Sequence, residues 1–192
     1  AVMGASVPAQ RIRRPNAKPL RPEGTYVLYW MTANRRLGWN FALDRAVELA
    51  RQLGKPLLIV ESLSAGYRWA SARLHRFVID GMAEHVVACA KRNVAYLPYV
   101  EPFPKAAQGM LRAIAAKACV VVGDDYPRNF QPHPLDADAQ HIPVAFEAVD
   151  ANGIMPLQAV DRWFSAAVHF RRFLQAKLPI FLRQMPVADG LA

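Results

Sequence analysis

The chain has 192 residues, 53% hydrophobic and 20% charged, which suits one α/β domain with a substantial core and is too short for two large ones. Its formal net charge of +9 is compatible with nucleic acid or another anionic partner, as well as with a plain solvated basic surface. No apolar run approaches the roughly 20 residues of a membrane span, and the opening AVMGASVPAQRIRRPNAKP lacks the apolar core of a secretory signal. The two cysteines, Cys89 and Cys119, stand singly in apolar stretches and read as buried free thiols, so a cytoplasmic protein with no membrane contact is expected.

Residues 1–24 are rich in proline, arginine and small residues without any period, and read as a basic N-terminal arm carrying Arg11, Arg13, Arg14, Lys18 and Arg21. Tyr26–Met31 follows as an unbroken apolar run. A run of that length without alternation suits a strand covered on both faces, as in a parallel sheet. Trp39–Leu53 repeats apolar residues at three- and four-residue steps (Trp39, Ala42, Leu43, Ala46, Val47, Ala50, Leu53) and is expected to be the first helix. Gly54-Lys55-Pro56 supplies its stop.

Leu57–Val60 is a second buried strand, and Glu61–Gly66 the loop leaving it. A long helix is expected over Arg68–Lys91, with Leu74, Phe77, Val78, Met82, Val86 and Cys89 on one stripe and His75 and His85 at its surface or boundary. Val94–Val100 is a third strand, placed at an edge by Pro98. A helix over Lys105–Lys117 leads to a fourth strand, Cys119–Val122, whose exit loop is Gly123–Phe130. A short helix over Leu135–Gln140 precedes a fifth strand, Val144–Val149. The last helix, Arg162–Lys177, is apolar on too many sides for a solvated exterior, and is expected to pack onto the sheet and to continue toward a partner domain.

Strands alternating with helices predict a five-stranded parallel, doubly wound (Rossmann-like) α/β sheet, order 3-2-1-4-5, with helices on both faces. In that order the first loop, Thr32–Gly38, faces the fourth across a crevice at the carboxyl ends of the strands, where such sheets bind ligands. The first loop offers Asn34, Arg35 and Arg36, and the fourth offers Asp124, Asp125 and Arg128. This set suits a polar, planar ligand such as a flavin, a deazaflavin or a nucleotide. The same arginines could equally be solvated or paired with Asp124 and Asp125. Asn40 and Glu61 are secondary candidates, since each could cap local backbone.

No G-x-G-x-x-G follows the first strand, and neither a phosphate-binding G-x-x-x-x-G-K-[ST] nor a G-x-S-x-G nucleophile elbow occurs. The five histidines show no metal-ligand spacing, and no nucleophile–base pair is visible. By its own residues the chain reads as a binding module without a catalytic site.

The ordered set Arg11-Ile12-Arg13-Arg14, Tyr26–Met31, Asn40-Phe41-Ala42-Leu43, Gly66-Tyr67-Arg68-Trp69-Ala70, Leu74-His75-Arg76-Phe77, Pro98–Pro102, Val149–Gly153 and Phe170–Leu174 resembles the opening of class II photolyases of the photolyase/cryptochrome family. The resemblance spans about residues 11–178. It implies an α/β domain over residues 25–160, with residues 161–192 forming a last helix and the start of a linker to a helical domain that binds FAD and is absent from this chain. The implied parent is a lyase that repairs cyclobutane pyrimidine dimers in damaged DNA with light. The resemblance further implies a deazaflavin antenna in this domain, with Met31, Arg36, Asn40, Asp124 and Asp125 as candidates around it. After Pro127 the chain reads Arg128-Asn129-Phe130-Gln131, where the family often has aromatic or cysteine residues. A stand-alone nucleotide- or flavin-binding sensor, or a cryptochrome-like signalling module, is the alternative.

Overall fold

The structure is a computed structural model that describes residues 7–67, 69–126 and 135–192. Its centre is a six-stranded sheet: β1 (Ile12–Arg13), β2 (Tyr26–Met31), β3 (Leu57–Leu63), β4 (Ala95–Val100), β5 (Ala118–Asp125) and β6 (Phe146–Asp150). The spatial order is β1-β6-β5-β2-β3-β4. The five parallel strands β2 to β6 therefore run in the anticipated 3-2-1-4-5 order. The difference is a sixth strand: the arm contributes Ile12–Arg13 antiparallel to β6, pairing Ile12 with Val149 and Arg13 with Ala148.

Alternate side chains of the central strands divide the core in two. Val27, Tyr29, Met31, Ile59, Val120, Val122 and Val149 pack on one face with α1 (Phe41–Leu53) and Cys89 of α2 (Ala72–Lys91). Leu28, Val60, Val121, Phe146 and Ala148 pack on the other with α3 (Met110–Ala115) and α4 (Leu135–Gln140). Helices on both faces explain why these strands read as unbroken apolar runs. Cys89 and Cys119 are buried free thiols as expected, and burial pushes the Cys89 thiol up to about 11.

Helix α1 begins at Phe41, two residues later than the apolar pattern, because Asn40 is its N-cap: the Asn40 amide oxygen accepts from the backbone of Ala42 and Leu43. It ends at Gly54, whose left-handed backbone (φ 61°) is the expected helix stop. Ser71 caps α2, so that helix starts four residues after Arg68, which lies outside the described residues. The third helix is shorter than the Lys105–Lys117 reading. The fourth strand is longer, running through Asp125.

The last helix, α5, spans Ala167–Phe181 and does not pack onto the sheet as expected. Phe181 is its one buried residue. The apolar stripe of α2 is also largely uncovered: of its residues only Met82 and Cys89 are buried, and Phe77 is 78% exposed.

The arm is woven into the domain. Arg11 is fully buried; its guanidinium donates to the carbonyls of Asp150, Gly153 and Ile154 and lies 4.2 Å from the centre of the Phe41 ring. Arg14 and Arg45 converge on Glu147, which is 2% exposed on β6. Burial pushes the Glu147 carboxyl up, but the hydrogen bonds from Arg45 and Arg14 outweigh it and hold the group below its ordinary 4.5. Glu61 is likewise held below its ordinary 4.5, burial being outweighed by His85, Arg35 and Tyr96.

A carboxyl depressed in the folded state stabilises the fold above its unfolded value, and that contribution is lost as pH falls through the folded value. The denaturation midpoint is therefore expected to be flat near neutrality and to fall below the 4.5 at which free glutamate titrates. Glu147→Gln should lower the plateau and shallow the acid limb, as read by urea denaturation at a series of pH values; an acid limb as steep as that of the parent would contradict the assignment.

Candidate functional site

The crevice between β2 and β5 is built around one carboxylate. Asp124, fully buried at the carboxyl end of β5, accepts from Tyr29 Oη at 2.8 Å through one oxygen. Its other oxygen accepts three successive backbone N–H groups, from Thr32 at 2.9 Å, Ala33 at 2.8 Å and Asn34 at 2.9 Å. Three amides aimed at one point form a concave anion nest, here filled from within the protein. Tyr29 Oη in turn accepts from Asn40 Nδ2 at 2.9 Å, and that amide also reaches the carbonyls of Asn34 at 3.1 Å and Arg36 at 3.0 Å. Burial, and then the Asp124 charge, raise the Tyr29 phenol well above its ordinary value, so it stays a donor.

The five candidates therefore occupy different places. Met31 is fully buried beneath the loop, in the core cluster on the α1 face. Asn40 and Asp124 hold the loop from behind. Arg36 lies along its rim, donating from Nε to the carbonyl of Trp39 at 3.0 Å and from a terminal nitrogen to that of Ala151 at 3.2 Å. Asp125 points to the other face of the sheet from Asp124, as alternation along a strand requires. It is bridged by Arg13 at 2.9 Å, and Arg13 also reaches Asp136. The anticipated pairing of Arg35 and Arg36 with Asp124 and Asp125 is absent. Arg35 instead crosses to β3, where it meets Glu61 at 2.8 Å and the carbonyl of Ser62 at 2.7 Å. Arg128 lies outside the described residues.

Two buried polar atoms of the first loop have no hydrogen-bond partner within the described structure, Thr32 Oγ1 and Asn34 Nδ2. An unpaired buried donor or acceptor costs about 1–3 kcal/mol, which sets these two groups apart from the rest of the loop, whose polar frame is met from within. Asn152 borders the same crevice, donating to the carbonyl of Asp125 at 2.6 Å.

Sequence reasoning missed a second cluster, one strand away. Glu61, 1% exposed, takes Arg35 on one oxygen and both His85 Nδ1 and Tyr96 Oη, each at 2.8 Å, on the other. The signal was a glutamate directly after an apolar run. Read as the first residue of a loop, it is in fact the fifth of a seven-residue strand.

Asp124 is expected to be the costliest polar residue of the site to remove. Asp124→Ala strips the acceptor from three amides and a phenol, and should lower unfolding stability by more than about 3 kcal/mol. Asp124→Asn keeps one carbonyl acceptor and should cost less. Chemical denaturation of the two variants beside the parent measures both; equal losses would contradict the hydrogen-bond account, because the carbonyl that Asp124→Asn keeps would then recover nothing.

No family model matches the chain. It is 32% identical over 177 residues to the deoxyribodipyrimidine photo-lyase of Methanothermobacter thermautotrophicus, a match that covers 91% of this chain and 38% of that protein. Among solved structures, a universal stress protein from Archaeoglobus fulgidus aligns at 18% identity and a TM-score of 0.40, covering 64% of this chain and 98% of that one. The chain spans little more than a third of the length of its photolyase relative, over nearly all of its own. The resemblance seen in the sequence thus holds: this α/β domain is similar, over nearly all of its length, to part of a deoxyribodipyrimidine photo-lyase.

Proposed function

We propose that this chain is the N-terminal α/β domain of a light-driven DNA photolyase of class II type, and that it holds an antenna pigment and docks on a helical domain that carries FAD. The observation that carries the reading is the kinship to a deoxyribodipyrimidine photo-lyase along 91% of the chain, at only 38% of that protein's length. Repair of cyclobutane pyrimidine dimers would then reside in the remainder of the parent protein, and the chain by itself would have no repair activity. A soluble, cytoplasmic setting belongs to the same reading; among the described residues no helix is long and apolar enough to cross a membrane.

Two surfaces support a docking role. On α2, Leu74, Phe77 and Val86 are exposed, and on and before α5 so are Trp163, Val168, Phe170 and Ile180. Trp163 is 91% exposed. Covering one large apolar side chain contributes about 1.5–3 kcal/mol, so a partner domain on these surfaces would gain appreciably from them. The arm, by contrast, is a weak candidate for gripping DNA: Arg11, Arg13 and Arg14 are engaged with carbonyls and carboxylates of the domain itself.

The pigment site is assigned to the switch-point loop. Thr32 Oγ1 and Asn34 Nδ2 fit the polar edge of a deazaflavin, because a planar ring system bearing carbonyl and N–H groups can satisfy both a hydroxyl and an amide donor. Arg36 at the rim would add charge, Asp125 and Asn152 would border the far side, and Met31, Asn40 and Asp124 would keep the loop in shape. A bound deazaflavin would supply light absorption.

Two measurements test this. Titration of the chain with a 5-deazaflavin, followed by absorption and fluorescence, should give saturable binding. Asn34→Ala, which removes one hydrogen bond, should weaken that binding about tenfold, and Arg36→Ala should weaken it as well. Binding of FAD to the chain instead would favour a stand-alone flavin module. In the second measurement, the chain is illuminated with FAD and DNA containing pyrimidine dimers. The dimers should persist; their disappearance would overturn the assignment of catalysis to another domain.

A further inference from the structure

The stretch of chain that leaves α5 returns to the first loop and grips it from outside. Val187 accepts on its carbonyl from the Trp39 N–H at 2.7 Å and donates its own N–H to Asp44 at 2.9 Å. Gly190 donates to the carbonyl of Leu37 at 3.2 Å. Asp189 is ion-paired with Arg92 at the end of α2, and Leu191 packs against the core cluster on the α1 face. Two glycines make room for the approach. A methyl group on Gly38 would run into the carbonyl oxygen of Ala188, and one on Gly190 would come within 2.9 Å of Leu43 and 3.1 Å of the Leu37 oxygen. Trp39 itself sits at φ 51°, a left-handed conformation that non-glycine residues seldom adopt without support.

The inner side of the same loop is fixed by Asp124 and Asn40. Residues 34–39 are thus held between an inner polar frame and an outer strand of chain. The Arg36 side chain bridges the two, because it bonds the carbonyl of Trp39, whose N–H is held by Val187.

We propose that Val187–Gly190 is a clamp that sets the shape of the switch-point loop, so that the segment following α5 governs ligand binding there. The ligand part rests on the reading of that loop as a pigment site. If the partner domain pulls on this segment, the strain reaches the loop through two backbone hydrogen bonds, at Leu37 and Trp39, and reaches α1 through the bond from the Val187 N–H to the Asp44 carboxylate.

Gly38→Ala tests the clamp. It should displace the strap and leave the bonds made by Asp124 and Asn40 intact. Amide hydrogen exchange reads the result at single residues. Val187 and Gly190 should exchange faster. So should Arg35 and Arg36, whose N–H groups bond the carbonyls of Ala33 and Asn34, by about tenfold if loosening the loop removes the equivalent of one to two net hydrogen bonds. Ala46 and Ala50 in α1 serve as folding controls and should be unchanged. A freed strap with Arg35 and Arg36 still at parental rates would overturn the clamp. Should Gly38→Ala fail to fold, Val187→Pro removes the Val187 N–H from the outside, and Gly190, Arg35 and Arg36 should again exchange faster while Ala46 and Ala50 stay unchanged. A deazaflavin titration of the variant separates the two readings. If the parent chain binds none while the exchange pattern is as expected, the pigment assignment falls and the clamp stands.

Discussion

Buried carboxylates at the carboxyl ends of the strands hold this domain in shape, and Asp124 is the one on which most depends. The loop leaving β2 has to turn out of the sheet within a few residues, which leaves consecutive N–H groups without ladder partners. A buried amide needs an acceptor. Asp124 supplies one to three of them at once and is itself anchored by Tyr29 and, through it, Asn40. The device recurs along the sheet. Glu101, just beyond β4, accepts from Ser64, Ala65 and Ala107, and Asp150, at the end of β6, accepts from Asn152 and Leu157. Glu61 on β3 performs the equivalent task with side chains. Strands β3 to β6 each carry an acid at or just beyond this rim, and β2, which lacks one, sends out the loop that Asp124 holds by its backbone and Glu61 by Arg35.

That arrangement explains what could be read from the sequence and what could not. Continuous apolar runs located the central strands, and Tyr26–Met31 matches β2 residue for residue, because a strand buried on both faces has no polar side to interrupt it. The 3-2-1-4-5 order was the default topology for such an alternation of strands and helices, and the five parallel strands follow it. Strand ends were less legible. Asp124 and Asp125 looked like loop residues, and Glu61 too, because buried acids are rare. They are strand residues whose charge is met by partners 24 to 112 positions away in sequence, among them His85 and Arg35 for Glu61 and Arg13 for Asp125. No local pattern reports a pairing over that span. The two-residue strand β1 was missed for a related reason: it is too short for any period, and what fixes it is Arg11 inside the domain.

The candidate site was legible in position and less so in detail. Sheet topology put attention on Thr32–Gly38 and on Asp124, which do meet. The chemistry inferred from residue types treated every polar group there as open to a ligand. In the structure most are already satisfied by one another, and the buried groups of the loop left over among the described residues are Asn34, which the loop's composition had offered, and Thr32, which it had not singled out. Composition cannot separate a donor that holds its own loop from one that waits for a partner; only the hydrogen-bond pattern does.

The apolar stripes raise the same issue at the surface. Spacing correctly marked Leu74, Phe77 and Val86 as one face of α2 and marked the last helix as apolar on several sides, yet both faces are exposed in this chain. The basic side chains of the arm and of α1 behave differently. Arg11, Arg13, Arg14 and Arg45 each find acceptors within the domain, although each could have remained in water. Phe77 and Trp163, by contrast, are 78% and 91% exposed, so it is large apolar side chains that this domain leaves facing outward while these four arginines turn to acceptors of the domain itself.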